Sequence, residues 1–330
     1  MKNRGHVPNS EIRNMSPIFM SPISKKKIAV VGSSNTDMII KTAKIPRPGE
    51  TVLGGEFHMA AGGKGANQAV AAARAGGDVS FIARIGNDIF GKRAVEGFIR
   101  DKIDVRNVSR DRRAASGIAL IIVGRNGENS IAVASGANAK LSAEDVRRAG
   151  RAIASAKILL MQLETPLDTV RKAAEIAAGH GVPVILNPAP ARPLDDRLLR
   201  RISILTPNET ETEILTGIKI KRKSDIGRAA RRLLNKGVRA VFMTLGSKGV
   251  YIASEKTSRI IPAFKVKAVD STAAGDVFSG ALAVALAEGR PLLDAARFAN
   301  AAAALSVTKL GAQPSAPYRI DIEHFLRKMQ

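Results

Sequence analysis

The sequence predicts an α/β fold: a doubly wound, mostly parallel sheet with helices on both faces, plus a small β-sheet lid. Three observations predict it. From Lys26 onward, short apolar runs rich in β-branched residues alternate with helical segments, as a parallel sheet with crossover helices requires. Each apolar run ends in a polar tip rich in glycine or proline. Two segments, 36–58 and 117–134, break the alternation and read as short strands and a hairpin with no helix to cover them.

The elements follow in order. "KKIAVVGS" is a buried strand, "GANQAVAAARAGG" a helix of good formers closed by glycines, and "VSFIARIG" the next strand. "KILLMQLE" is a strand leading into "TPLDTVRKAAEIAAGHG", where Thr165 is expected as N-cap and Pro166 at the first helical position. "VPVILNPAP", "ISILTPNETE" and "AVFMTLGSKG" repeat the pattern, so ligands are expected at the carboxyl ends of the strands. The segment 117–134 turns at "RNGEN". Its apolar stretch "IALIIV" must cover something, and a lid that is also a dimer contact is the expectation.

With 330 residues, 45% of them hydrophobic, the chain can bury a sizeable core. It has no cysteine, which excludes disulfides, thiol catalysis and cysteine–metal sites. Its four histidines, His6, His58, His180 and His324, show no ligand spacing. No apolar run reaches the ~18 residues of a membrane span, so a soluble, cytoplasmic protein is expected.

The net charge of +23 draws anions. Basic residues concentrate in 1–27, six against one acid, and in 219–239, nine against one. The second stretch carries Ile226, Ala230, Leu233 and Leu234 at helical spacing and reads as a surface helix with a solvated basic face. With 4% aromatics and no tryptophan there is no stacking platform, which argues against a nucleic-acid partner. Residues 1–25, basic and interrupted by Pro8, Pro17 and Pro22, are expected to form a disordered tail, and 26–330 the folded domain.

Several tips have the chemistry of a ligand site. "AAGGKGANQA" is not a P-loop: His58 stands where the first glycine belongs, and Gly65 follows Lys64. It remains a flexible run opening a helix, able to bring backbone close to a polyhydroxylated ligand or an anion, with Lys64 and Asn67 beside it. In "GSSNTD", Asn35 and Asp37 offer the donors and acceptors that vicinal hydroxyls need; an ordinary turn is the competing reading. "LTPNETE" sets Asn208, Glu209 and Glu211 at a strand-to-helix junction, where they either cap the helix or hold magnesium through water. "TLGSKG" adds two glycines at another tip.

"AVDSTAAGDVFSGALAVALAEG" has two carboxylates, Asp270 and Asp276, six residues apart ahead of an apolar helix. Thr272 or Asp270 is expected to cap, leaving the N–H groups of Ala273, Ala274 and Gly275 open to an oxyanion. Asp276 beside that positive pole would then accept a proton from a hydroxyl. Base and anion hole in one turn are what phosphoryl transfer to an alcohol calls for.

In combination, "GSSNTD", "GGKGANQAVAAA", "MQLE", "LNPAPAR", "TPNETE", "TLGSKG", "DSTAAGDVFSGAL" and "GAQPS" resemble the ribokinase branch of the phosphofructokinase-B-like carbohydrate kinases, over essentially all of the chain from Lys27. The resemblance implies ATP-dependent phosphorylation of D-ribose at O5. A deoxyribokinase, another pentose or nucleoside kinase, and a non-catalytic sugar- or nucleotide-binding regulator are the rival readings. It further implies Asp276 as general base, with Gly275, Ala274 and Ala273 as anion hole. Asn35, Asp37, Gly63, Lys64, Asn67 and Glu164 would hold the sugar. Asn208, Thr244, Leu245, Gly246, Ser247, Lys248, Gly249, Gly275, Asp276 and Asn300 would contact ATP. Asn208 and Glu211 would lie near Mg²⁺. Asp270, Thr272, Ser306, Lys309, Gly311 and Ser315 would surround K⁺, mostly through backbone carbonyls. Its members pair as homodimers through the lid. Val277, Ser279 and Ser271 depart from its usual Thr, Asn and Thr, and they flank the base without replacing it.

Overall fold

The computed structural model describes residues 26–329, and the expectation of a disordered tail at 1–25 falls outside them. Strand β1 (Lys27–Val31) leads to β2 (Asn35–Lys41) and β3 (Glu56–Gly62), then α1 (Lys64–Arg74), β4 (Asp78–Gly86), α2 (Ile89–Arg100) and β5 (Val108–Asp111). The hairpin β6 (Gly117–Val123) and β7 (Asn129–Ala134) precedes the short helices α3 (Ala143–Arg148) and α4 (Gly150–Ala154). Then come β8 (Ile158–Met161), α5 (Leu167–Gly179), β9 (Val184–Leu186), α6 (Asp196–Leu199), β10 (Ile204–Leu205), α7 (Glu209–Thr216) and α8 (Lys223–Asn235). Strands β11 (Ala240–Thr244), β12 (Val250–Ser254) and β13 (Ser258–Ile261) complete the sheet, and helices α9 (Ala274–Ala287), α10 (Leu292–Ser306) and α11 (Arg319–Lys328) end the described chain.

The main sheet has nine strands in the order β13-β12-β11-β10-β9-β8-β1-β4-β5. All pairings from β5 to β11 are parallel, and β12 and β13 form an antiparallel edge. Strand β1 shows why the fold is doubly wound. Its alternate residues go to opposite faces, Ile28 and Val30 into a core with α1, α9 and α10, Ala29 and Val31 into a second core with α3, α4, α5 and α8. From β1 the chain winds outward through β4 and β5, then returns to β8 on the other side. The tips of β1 and β8 therefore flank the point where the winding reverses, and a crevice opens there.

The second sheet holds four strands in the order β3-β2-β6-β7. It is mixed: β2 and β6 run parallel, and the two outer pairs are antiparallel. The turn falls in residues 124–128, where Gly127 donates its N–H to the Gly124 carbonyl. Register assigns its faces. Asn35 and Asp37 share one with Ile39, Ala119, Ile121, Ile131 and Val133, while Met38, Ile40, Phe57, Met59, Leu120 and Ile122 lie on the other.

One expected helix start is corrected. Pro166, not Thr165, occupies the N-cap position of α5, and no side chain caps that helix. Thr165 Oγ1 is buried without a partner. Its carbonyl and that of Leu163 accept from Arg192, which ties down the tip of β8 on both sides of Glu164.

Candidate active site

The site is assembled around the reversal point from the tips of β1, β8, β9, β10 and β11 and the starts of α1, α7 and α9. The tip of β1 meets the start of α1 backbone to backbone: a Cβ on Gly65 would fall 2.4 Å from the Ser33 nitrogen. Gly63 precedes α1 with φ +86°, a conformation that favours glycine, and a Cβ there would meet the Asn35 nitrogen at 2.6 Å. Glycines at these positions let the two tips close on each other. Glu164 then locks them together. Its carboxylate accepts from Ser33 Oγ at 2.5 Å and from the Lys64 N–H at 2.9 Å, while Ser33 Oγ accepts from the Gly65 N–H at 3.2 Å.

Asp276 lies in the first turn of α9 and is 4% exposed. Its Oδ1 accepts from Gln68 Nε2 at 2.9 Å and its Oδ2 from Asn67 Nδ2 at 3.1 Å. These contacts exist because α1 and α9 are in close contact: a Cβ on Gly280 would fall 2.7 Å from the Gln68 carbonyl oxygen. Gln68 is fixed in turn, donating to Asn187 Oδ1 at 3.1 Å and accepting from Gln162 Nε2 at 2.6 Å. The network orients the carboxylate through two amide donors and leaves it no positively charged hydrogen-bond partner.

Charge is concentrated here. Burial pushes the Asp276 carboxyl up, opposed by the Lys64 ammonium and by the bonds from Gln68 and Asn67. The Asp276 charge in turn holds Lys64 above its ordinary value against burial. Asp37 is raised to about 6 by burial first, then by the charges of Glu164 and Asp276. Glu211 is raised by burial and feels both Lys64 and Asp276. A cluster of perturbed carboxylates around one lysine, in a crevice, is a functional arrangement in physical terms. Asn67 Oδ1 is buried without a protein partner, which fits a ligand that donates hydrogen bonds.

The start of α9 differs from expectation in two ways. Neither Thr272 nor Asp270 caps it. The N-cap position is Ala273, in the left-handed region at φ 59°, with no side-chain cap. The Ala274 N–H donates to the Ser271 carbonyl at 3.2 Å, so it is not open. Among the described residues, the N–H groups of Ala273, Gly275 and Asp276 make no hydrogen bond. Asp270 is used elsewhere. Its Oδ1 accepts from the Thr272 N–H and hydroxyl and its Oδ2 from the Gly311 N–H at 2.8 Å, while the Val269 and Asp270 N–H groups donate to the Val307 carbonyl. This draws 270–272 against 306–315, with the Ser306 and Ser315 hydroxyls turned to local carbonyls and the Lys309 N–H on the Ser306 carbonyl.

Asn208 and Glu211 form a reciprocal capping box on α7. Glu211 N–H donates to Asn208 Oδ1, and the Asn208 N–H and Nδ2 donate to the Glu211 carboxylate. The capping reading of "LTPNETE" is therefore the one its geometry satisfies. Asn208 also bridges Thr244, where β11 runs into the turn Gly246–Lys248. A Cβ on Gly249 would meet the Ile261 carbonyl oxygen at 2.1 Å, and Asn300 donates to the Ile261 and Pro262 carbonyls. Asn208 and Thr244 are thus joined at the tip of β11, and Gly249 and Asn300 both meet the end of β13. The hydroxyls of Thr206 and Ser279, 3.1 Å apart, connect the tip of β10 to α9.

Sequence reasoning missed Ser33, Gln68, Asn138, Gln162 and Asn187. Gln68 and Asn187 had a signal, a polar side chain inside an otherwise apolar helix and one at a strand tip. Gln162 had the same strand-tip signal, inside "MQLE", and Asn138 had none in the sequence.

A buried carboxylate beside unbonded N–H groups at a helix start, in a doubly wound domain, has the parts that a small-molecule phosphotransferase needs. The chain belongs to the pfkB family of carbohydrate kinases, whose description as "pfkB family carbohydrate kinase" matches residues 25–319. It is 48% identical over 302 residues to a ribokinase of Haemophilus influenzae, covering 92% of this chain and 99% of that one. It is also 40% identical over 299 residues to a deoxyribokinase of Salmonella typhi, covering 90% and 97%. Among solved structures, it is similar to the Arabidopsis thaliana ribokinase complexed with ribose and ATP, at 34% identity and a TM-score of 0.86 over 92% of this chain and 99% of that one. The ribokinase of Thermotoga maritima matches at 40% identity and a TM-score of 0.84, over 92% and 99%.

Proposed function

We propose that the protein transfers the γ-phosphoryl group of ATP to O5 of D-ribose, giving D-ribose 5-phosphate and ADP. The observation that carries this is Asp276: a buried carboxylate oriented by two amides, beside unbonded N–H groups of the same helical turn. Asp276 accepts the hydroxyl proton as O5 attacks, and the N–H groups of Ala273 and Gly275 stabilise the charge on the transferring group. Asn35, Asp37, Asn67, Glu164 and the Gly63–Lys64 backbone bind the sugar hydroxyls, and Lys64 balances the carboxylates around it. Asn208, Thr244–Gly249 and Asn300 hold the nucleotide.

Asn208 and Glu211 hold each other, and among the described residues no three His, Asp or Glu side chains gather as a metal site. They fit Mg²⁺ only through water, with the ATP phosphates supplying direct ligands and the ion neutralising phosphate charge when bound. The Asp270–Gly311 junction fits a loop that organises the anion hole around K⁺, with Thr272, Ser306, Lys309 and Ser315 contributing backbone oxygens. In this reading β2, β3, β6 and β7, in segments 36–58 and 117–134 of a kinase domain spanning 26–330, act as the lid. Its outer apolar face is the homodimer contact, ATP as donor fits a cytoplasmic enzyme, and nucleic acid is not a partner. No helix among the described residues is long and apolar enough to cross a membrane.

The deoxyribokinase relative keeps 2-deoxyribose as the second reading. A coupled ADP-release assay with ATP and Mg²⁺, on D-ribose, 2-deoxyribose, fructose and adenosine, each with K⁺ or Na⁺, tests both. Turnover on ribose that rises with K⁺ is expected. Turnover on another sugar moves the substrate assignment, and silence on all four with folded protein rejects catalysis in favour of a binding role.

A further inference from the structure

Asn138 is a residue that neither the sequence motifs nor the chemistry above employs. It sits in the short turn Gly136–Lys140 that follows β7, and it is 2% exposed. Its side chain touches the backbone of Ser34 twice: Oδ1 accepts the Ser34 N–H at 2.9 Å, and Nδ2 donates to the Ser34 carbonyl at 3.1 Å. The second Nδ2 hydrogen goes to Asn35 Oδ1 at 2.7 Å. Gly117 makes room for this contact, since a Cβ there would lie 2.2 Å from both Asn138 Nδ2 and Asn35 Oδ1.

The orientation of each amide follows from its neighbours. A backbone N–H demands an acceptor and a backbone carbonyl demands a donor, so Ser34 fixes which end of Asn138 is oxygen and which is nitrogen. Asn138 then has only a donor to offer Asn35, which must present its oxygen in reply. That leaves Asn35 Nδ2 as the end not engaged by Asn138, and among the described residues it has no hydrogen-bond partner. Asn35, Asn138 and Glu164 all line one cavity of about 440 Å³.

We propose that Asn138 is a specificity-positioning residue: by occupying Asn35 Oδ1 it makes Asn35 a fixed hydrogen-bond donor toward one sugar hydroxyl, the one that 2-deoxyribose lacks. A donor that cannot rotate is left unpaired when the hydroxyl is missing, and the deoxy sugar bears that penalty. Without Asn138 the amide is free to turn, find another partner and stop discriminating. The proposal rests on the sugar-binding assignment of Asn35 above.

Steady-state kinetics of Asn138→Ala, Asn35→Ala and the double variant, on D-ribose and 2-deoxyribose, test it. Asn138→Ala is expected to raise the KM for ribose ~10-fold with the KM for ATP unchanged, and to bring the ribose to deoxyribose ratio of kcat/KM toward unity. The double variant is expected to be no worse than either single one, because both remove one unit. Asn138→Asp keeps the acceptor for Ser34 but has no donor for Asn35. It is expected to lose discrimination, and it stands in if the alanine variant does not fold. Loss of the ratio in Asn35→Ala with the ratio intact in both Asn138 variants overturns the proposal and leaves the sugar site standing. An intact ratio in Asn35→Ala overturns the assignment of Asn35 itself, and the proposal with it.

Discussion

Asp276 is a carboxylate with little water around it, and the two amides that bind it keep it aimed without pinning it to a cation. Asp276→Asn preserves the shape of the side chain but cannot take a proton, and it keeps an acceptor for only one of the two amides that now donate to it. The expected result is a ~10²–10⁴-fold loss in kcat with sugar affinity retained, read by steady-state kinetics and by calorimetry with ribose. Asp37 makes a different prediction. Its folded-state value of about 6 lies above the ordinary 3.8, so between the two the native state binds more protons than the unfolded one. Its contribution to stability is therefore full below 3.8 and is lost as pH rises through about 6. Asp37→Asn is expected to melt higher than the parent at pH 8, with the gap closing toward pH 4, while binding sugar more weakly. The parent's own affinity for ribose is expected to fall as pH drops through about 6, where Asp37 loses its charge. Thermal melts and KM measured across that range check both.

Between elements, the contact of α1 with α9 is what turns residues into a site. Alanines and glycines on both helices let the backbones approach until Asn67 and Gln68 reach Asp276. Gly280→Ala puts a methyl group against the Gln68 carbonyl, at 2.7 Å before any relaxation. Overpacking of this kind costs ~1–3 kcal/mol, to be read by urea denaturation. A fall in kcat is expected beside it, since the displaced α1 carries the amides that orient the base. Helix starts were the least legible feature at this scale. Thr165, Thr272 and Asp270 each have the chemistry of a cap, and none caps. Asp270 is drawn to Gly311, 41 residues away, a competitor that local patterning cannot reveal. Asn208 and Glu211, by contrast, are only three residues apart and form the box that their spacing allows.

At the scale of the molecule, the small sheet has two apolar faces and one main domain. The face with Asp37 also carries Val133, which lines one cavity with Asn35, Asn138 and Glu164. The other sets Phe57, Ile40 and Ile122 in one row and Met59, Met38 and Leu120 in the next, with Phe57 56% and Leu120 53% exposed. A second copy of the chain is the proposed cover. Leu120→Asp sets a carboxylate in each half of a two-fold contact, and a shift from dimer to monomer by light scattering is the expected outcome. The basic helix α8 is exposed along its Arg and Lys residues and buries Ile226, Ala230 and Leu233, as its helical spacing predicts.

The sequence by itself determined the doubly wound class, the order of its strands and helices, the small sheet and the kinase family, because these are written in local periodicity, turn chemistry and contiguous motifs. It also named several of the polar residues at the strand tips, among them Asn35, Glu164 and Asn208. The tertiary structure alone decided what those residues do to one another. That Gln68 and Asn67 hold Asp276, that Asp270 leaves its helix for Gly311, and that Asn138 dictates which end of Asn35 meets a ligand all depend on side chains brought together from distant parts of the chain. A hydrogen bond between such residues is fixed by a distance of about three ångströms, and only the packed fold sets distances across a hundred residues of sequence.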